Sequence, residues 1–214
     1  QKIIDGAKQV VENYKPTIKI DPSWEMVRVD DVVEFVSGVT LAVKDCEDPN
    51  GLPLITIADV SEDGYLKLDN IRTVTTSKNV NILKKGDLLF NWRNGSKHLV
   101  GKAALFDLDG EYIFASFLLG VRPNQIMMNS KFMWLLLNQY RVEGKYLQFM
   151  RQNVNGLFNR EELKEVLIPM PAIETQQLVL TKIQEEMDIV RQNKRLIEIF
   201  EQKIKDKISE VWGD

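Results

Sequence analysis

The chain is poor in the residues that build disulfides, zinc sites and membrane spans. Its 214 residues include one cysteine, Cys46, and one histidine, His98. A single cysteine excludes an internal disulfide and indicates a reducing compartment such as the cytoplasm. One cysteine and one histidine also exclude a zinc site of ordinary ligands. No apolar run approaches the ~20 residues that cross a bilayer, and no signal peptide is visible, so a membrane protein is not expected.

Motifs of catalysis are lacking as well. Residues 95–102 look like a phosphate-binding loop, but five residues separate the two glycines instead of four, and Ala103 follows the lysine. Three Glu-x-Lys triplets lack the preceding Pro-Asp pair of a nuclease site. No Ser–His–Asp arrangement can be singled out around His98. Together these absences predict a non-catalytic chain that holds no metal or cofactor of its own.

Positive charge is concentrated in one part of the chain. The total charge of −3 is against a globally basic nucleic-acid binder. Residues 86–160, however, carry nine lysines and arginines against five acidic residues, whereas residues 21–85 carry seven against twelve. A local basic face is enough to bind a polyanion. Residues 86–160 are therefore the predicted binding region.

Two polar segments in this region carry the candidate binding residues. The first follows an apolar run at 88–90, and we expect it to form an exposed loop in which cations neutralise phosphates and asparagines read adenine. Trp92 either packs on a sugar or an unstacked base, or lies in the core. The second segment, 151–160, has similar chemistry, with a loop of asparagine turns as its alternative. The predicted DNA-binding residues are Asn91, Trp92, Arg93, Asn94, Ser96, Lys97, His98, Lys102, Arg151, Asn153, Asn155 and Arg160.

The pattern of apolar residues predicts an α+β fold that is mainly β in its centre. Residues 3–15 form an amphipathic helix with Ile3, Ala7, Val10 and Tyr14 on one face. Short apolar runs separated by turns predict strands between residues 24 and 122. Residues 129–151 contain helix formers and predict two short helices. The break at Pro169 and Pro171 separates this part from the end of the chain.

The end of the chain predicts one long coiled-coil helix. Residues 173–212 contain neither glycine nor proline, and apolar residues recur in steps of three and four. Such a helix is longer than a small domain is wide, so we expect it to project and to need a partner helix from another molecule. The alternative is a helix that lies along its own domain. The predicted interface positions are Leu180, Ile183, Met187, Val190, Lys194, Ile197, Glu201, Ile204, Ile208 and Val211.

Several of these segments, in this order, resemble the specificity subunit of type I restriction-modification systems. Residues 24–32 and 53–60 are similar to the start of its target-recognition domain, and residues 85–104 to its middle. Residues 167–177, LIPMPAIETQQ, are the most specific piece, because they resemble the family's Ile-Pro-Leu-Pro-Pro-x-x-x-Gln-Gln entry into the long helix. Ala172 stands where that pattern has its second proline. Residues 38–40 are a reduced form of a Gly-Thr-Pro-like segment.

The resemblance implies three parts. Residues 1–16 look like the tail of an adenine methyltransferase, residues 17–171 are the target-recognition domain, and residues 172–214 are the long helix. Family members usually have two recognition domains and two long helices, whereas this chain has one of each. The chain is therefore expected to be a half-subunit or part of a methyltransferase–specificity fusion.

The resemblance also implies the function and the partners. The recognition domain is expected to read one half-site of a bipartite target in double-stranded DNA. The long helix is expected to dock an adenine methyltransferase, which holds S-adenosylmethionine, and to pair antiparallel with a second copy so that Lys194 faces Glu201 of the other molecule. A restriction subunit is a further expected partner. The alternative is a protein-interaction adaptor that acts through its coiled coil without reading DNA.

Overall fold

In the part of the chain that the structure describes, eight strands follow one another between the first and second α-helices, and four of the five α-helices lie in the last part of the chain. The predicted mainly β, α+β fold is therefore confirmed. A computed structural model describes residues 2–40, 47–75, 79–92, 100–150 and 158–212. The helices are α1 (Lys2–Asn13), α2 (Ser130–Val142), α3 (Leu147–Met150), α4 (Arg160–Lys164) and α5 (Ile173–Trp212). The strands are β1 (Met26–Arg28), β2 (Val33–Ser37), β3 (Glu47–Ile55), β4 (Arg72–Val74), β5 (Leu88–Asn91), β6 (Ala103–Leu105), β7 (Ile113–Phe114), β8 (Leu118–Pro123) and β9 (Leu167–Pro169).

Residues 19–177 contain a four-stranded antiparallel sheet with strand order β2-β8-β5-β6. In its register Ser37 lies opposite Leu119, and Asn91 lies opposite Leu118. The ends of β2 and β5 and the start of β8 therefore lie at one edge of the sheet. Long connections leave or enter the sheet at this edge, so the register decides which of them are neighbours.

Two smaller sheets complete the β structure. A three-stranded sheet has the order β4-β3-β7, with β3 antiparallel to β4 and parallel to β7. A two-stranded sheet pairs β1 with β9, so that Met26 lies opposite Pro169. Because β1 precedes most of the recognition domain and β9 follows it, this pair joins the domain's first and last strands.

The core is built on β5, whose Leu88, Leu89 and Phe90 are all fully buried. Such a strand reads as a continuous apolar run because both faces are covered. Next to it, the buried Asp87 carboxylate accepts two hydrogen bonds of 2.7 Å from Arg122. These bonds, reinforced by the charge of Asp87, raise the pKa of the Arg122 guanidinium above its ordinary value. A paired and hydrogen-bonded ion of this kind is the form in which charge is tolerated inside a protein.

The two helices predicted between residues 129 and 151 are confirmed as α2 and α3. Asn129 caps α2, since its side chain accepts hydrogen bonds from the backbone N–H groups of Lys131 and Phe132. One face of α2 packs on the sheet, and the Trp134 indole N–H lies 2.9 Å from the Ala103 carbonyl oxygen. This contact connects α2 to the first residue of β6.

Two compact units divide the chain: residues 19–177 form one, and residues 1–18 with 178–214 form the other. In the second unit Lys8 Nζ lies 3.2 Å from Glu201 Oε1, and the Tyr14 hydroxyl donates to Glu186 Oε2 at 2.7 Å. Residue numbers rise along α1 while they fall along α5, so the two helices run antiparallel. The expectation that the long helix needs a partner helix from another molecule is therefore wrong between Glu186 and Glu201, where the N-terminal segment of the same chain contacts it.

The apolar face predicted for α1 needs correction. Val10 is 72% exposed, whereas its neighbour Val11 is half-buried. Val11 lies one turn from Lys8 and one turn from Tyr14, on the side that meets α5. The sequence pattern alone could not distinguish these two adjacent valines, because the choice depends on the position of α5.

The long helix predicted from residue 173 is confirmed as α5, 40 residues without interruption. Its predicted interface positions differ in burial. Leu180 and Ile183 are buried, Met187, Val190, Ile197 and Glu201 are half-buried, and Lys194, Ile204, Ile208 and Val211 are exposed. Over the described ranges, α5 and the other helices are all too short or too polar to span a membrane.

Candidate nucleic-acid interface

The first predicted binding segment is the loop of a hairpin whose base is tightly closed. The Asn91 N–H donates to the Lys102 carbonyl at 2.7 Å, and the Gly101 N–H donates to the Asn91 carbonyl at 2.8 Å. Gly101 has φ +89°, and a Cβ there would lie 2.5 Å from Cδ2 of Tyr146. Only glycine fits this backbone and this close approach. The loop therefore starts and ends at fixed points.

Two residues predicted to be exposed in this loop are buried instead. Asn91 is the last residue of β5 and is fully buried. Lys102 is 5% exposed, and its ammonium donates to the Val60 carbonyl at 2.8 Å. Burial lowers the pKa of Lys102, and the charge of Arg141 lowers it further. An ammonium held inside by a backbone carbonyl does not reach a phosphate, so the prediction of exposure for Asn91 and Lys102 is wrong.

Trp92 is neither fully exposed nor part of the closed core. Its side chain is half-buried, and its indole N–H donates to the Ser116 carbonyl at 3.0 Å. The Ser116 N–H in turn donates to the Val39 carbonyl at 2.9 Å. Trp92 is thus anchored at the sheet edge where β2 ends and β8 begins, with part of its ring left accessible.

Phe117 lies beside this anchor and was not foreseen from the sequence. It occupies the turn between β7 and β8 and is 48% exposed. We call Trp92, Ser116 and Phe117 the rim. The sequence does not indicate that Phe117 is exposed. A phenylalanine so close to two strands would ordinarily be assigned to the core.

An aromatic cluster joins the bases of the two predicted binding segments. Phe90, immediately before the first segment, lies 5.7 Å between ring centroids from both Tyr146 and Phe158. Phe149, just before the second segment, lies 5.7 Å from Phe158, which directly follows residues 151–157. Aromatic pairs at these distances are stabilising packing contacts. The two segments were predicted separately, and their flanking residues meet in one cluster.

Arg160 is exposed at the start of α4. Its guanidinium lies over the ring of Phe35, 5.2 Å from the centroid. Asn159 caps the helix and accepts from the backbone N–H groups of Glu161 and Glu162. The contact with Phe35 orients the guanidinium without neutralising it, since an aromatic ring is not a counter-ion.

The remaining predicted binding residues fall outside the described ranges. They are Arg93, Asn94, Ser96, Lys97, His98, Arg151, Asn153 and Asn155. The flanks of their two segments are described, and these flanks carry Trp92 on one side and Arg160 on the other.

Comparison with known proteins identifies the family. Residues 22–208 match the family model described as type I restriction modification DNA specificity domain. A candidate type I restriction enzyme MjaX specificity subunit from Methanocaldococcus jannaschii is 24% identical over 209 residues, which cover 94% of this chain and 48% of that protein.

Solved structures share the fold. The HsdS subunit from Thermoanaerobacter tengcongensis matches with a TM-score of 0.63 and 19% identity, covering 96% of this chain and 51% of that one. The type I restriction-modification S subunit from M. genitalium matches with a TM-score of 0.55 and 12% identity, covering 94% and 52%.

The chain belongs to the type I restriction modification DNA specificity domain family, as the resemblance predicted. It spans about half the length of the curated relative and of the solved structures that it matches.

Proposed function

We propose that this chain reads one half-site of a bipartite DNA target for a type I restriction-modification system. The recognition domain contacts duplex DNA through the segments that follow Trp92 and precede Arg160. The observation that carries the proposal is the aromatic cluster of Phe90, Tyr146, Phe149 and Phe158. It brings together the described flanks of two segments that contain arginine and asparagine, and these residue types contact phosphates and base edges.

The rim contributes a different chemistry to the same surface. Trp92, at the start of the first segment, and Phe117 offer partly exposed rings. Apolar contact of this kind suits a thymine methyl group or a deoxyribose face. The backbones of Asn91 and Lys102 close the hairpin base, and their buried side chains do not contact the DNA.

Membership of the family supports the following partners. The chain positions an adenine methyltransferase along α5, and that enzyme holds S-adenosylmethionine and transfers the methyl group. The chain itself is non-catalytic and carries no cofactor. Two copies pair through α5, a restriction subunit joins the complete complex, and the system works in the cytoplasm.

The test begins with selection of duplexes from a random pool by the full chain, followed by fluorescence anisotropy at several salt concentrations. We expect one short preferred sequence, with an affinity that falls steeply as salt rises. The slope of log affinity against log salt is roughly −0.9 for each neutralised phosphate. Binding without sequence preference, or none at low salt, would favour the adaptor alternative.

Arg93→Ala refines this test. Loss of a base-contacting arginine should weaken binding to the selected duplex by ~1–3 kcal/mol and relax the preference at one position. Loss of a phosphate contact should instead weaken binding to all duplexes alike. The control is Lys85→Ala. This variant removes an exposed cation that pairs with Asp109 and lies just before the start of β5, whereas the first segment follows the end of β5. Equal affinity for the two variants on the selected duplex would exclude Arg93 from the interface.

A further inference from the structure

We propose that α1 and the tail of α5 from a second copy are alternative occupants of one surface on α5, so that docking of α1 opposes self-association. The α5 tail is defined as residues 189–204. This inference rests on the proposed pairing of α5 between copies. It adds a competitor from within the same chain.

The first observation is that α1 and its extension repeat the side-chain pattern of the α5 tail. Residues 3–18 align with residues 189–204 without a gap. The identical pairs are Ile3 with Ile189, Lys8 with Lys194, Glu12 with Glu198 and Ile18 with Ile204, and the similar pairs include Val11 with Ile197 and Tyr14 with Phe200. At these named positions, a surface that binds one of the segments meets the same type of side chain in the other.

The second observation is that α1 is docked on α5 through two named contacts. Lys8 pairs with Glu201 at 3.2 Å, and the Tyr14 hydroxyl donates to Glu186 at 2.7 Å. Burial, together with the hydrogen bond to Glu186 and the charge of Glu186, raises the pKa of Tyr14 to about 12. Val11 lies between these two anchors on the same helical face and is half-buried.

The two observations together define the competition. When the α5 tail of a second copy replaces α1 in the same antiparallel direction, its Lys194 takes the place of Lys8 beside Glu201. Two-fold symmetry then sets the Lys194 of the first copy beside the Glu201 of the second and brings Ile197 close to the axis. One Glu201 carboxylate cannot hold the same position against Lys8 and against the second copy's Lys194.

The two occupants differ in how much apolar surface they cover. The 12-residue α1 is about 18 Å long, whereas the 40-residue α5 is about 60 Å long. With α1 docked, Ile189, Leu196, Phe200 and Ile208 are each roughly half exposed or more. A second α5 covers more of this surface than α1 does, while α1 has the advantage of belonging to the same chain. The balance therefore depends on protein concentration.

The experiment measures the dimer Kd of the full chain by sedimentation velocity over a dilution series. Val11→Glu and Lys8→Glu should release α1 and leave the α5 tail intact, so the dimer Kd should fall at least about tenfold as more of the monomer becomes competent to pair. Val10→Glu, on the exposed side of α1, is the matched control and should leave the Kd unchanged. Lys194→Glu should raise the Kd about fivefold, because it opposes only the contact between copies.

Hydrogen exchange of α1 provides a second measurement. Protection of α1 should be lost in Val11→Glu and Lys8→Glu and retained in Val10→Glu. If a dimer forms but Val11→Glu and Val10→Glu have the same Kd, the competition is refuted while the proposed pairing stands. If Val11→Glu weakens the dimer, α1 belongs to the interface and the competition is equally refuted. If no variant forms a dimer, the proposed pairing itself fails, and the competition fails with it.

Discussion

Lys102 illustrates how a single residue can change its role when its surroundings are known. By sequence it is one of three cations around a polar loop. In the structure its ammonium is inside the recognition domain and donates to the Val60 carbonyl at 2.8 Å. The Val60 carbonyl has lost its water, so this one bond replaces its hydration.

Lys102→Met tests this reading at the scale of one residue. Methionine keeps the length and the packing but leaves the Val60 carbonyl without its donor, which should lower the free energy of unfolding by about 1–2 kcal/mol. Affinity for the selected duplex should stay unchanged. Urea unfolding and anisotropy measure the two effects, and the exposed Lys67→Met is the control. A large loss of DNA affinity with normal stability would return Lys102 to the interface.

The lowered pKa of Lys102 adds a pH dependence with a defined sign. The folded state binds fewer protons than the unfolded state between the lowered pKa and the ordinary value of ~10.4. The stability of the unmodified chain relative to Lys102→Met should therefore rise as the pH rises through this window. The difference in unfolding free energy between the two proteins should be constant at pH values where Lys102 is protonated in both the folded and the unfolded state.

At the scale of elements, Gln176 explains why the entry into α5 has its sequence. It lies in the first turn of the helix and is fully buried. Its side-chain amide donates to the carbonyls of Met127 and Pro171, at 2.8 and 2.9 Å, and its oxygen accepts from the Asn129 N–H at 2.8 Å. One glutamine thus ties the start of α5 to the segment that caps α2.

Gln176→Met should destabilise the recognition domain by about 3 kcal/mol, because one buried and two partly buried backbone groups lose their partner at once. Gln202→Met is the matched control on the same helix, since Gln202 is exposed and its side-chain amide donates to Asp206 one turn away at 2.7 Å. The control should change stability by less than ~0.5 kcal/mol. Similar urea midpoints for the two variants would contradict the structural role given to Gln176.

At the scale of the whole molecule, the proposed pairing of α5 connects two half-sites. A dimer that binds both half-sites of one duplex gains from the high effective concentration of its second domain, but only at spacings that the helix pair can span. Affinity should therefore peak sharply when the spacer between two selected half-sites is varied. Band-shift assays with a spacer series measure this.

Ile197→Asp is the variant that separates pairing from half-site recognition. An aspartate near the two-fold axis should abolish the dependence on spacer length and leave binding to a single half-site intact. Two results would show that α5 does not set the distance between half-sites. One is equal binding of every spacer by the unmodified chain, and the other is an unchanged spacer optimum in Ile197→Asp.

Local patterns in the sequence were sufficient for the elements that depend on neighbours in the chain. The 40-residue α5 follows from heptads without glycine or proline, and buried β5 follows from the run Leu88–Leu89–Phe90. The helices α2 and α3 likewise follow from helix formers at the right spacing. Family membership followed from the motif at 167–177, whose Gln176 proves to have a packing reason.

Only the tertiary structure decided the features that depend on residues distant in the chain. The Lys102 ammonium is inside the domain, where it donates to the carbonyl of Val60, a residue distant in the chain. Val11 rather than Val10 faces α5 because Glu201 and Glu186 fix the position of α1. Phe90 and Phe158 meet only because the sheet and α3 bring them together. Burial and convergence are properties of the packed chain, since a residue's exposure is set by what folds onto it, and no local pattern contains that information.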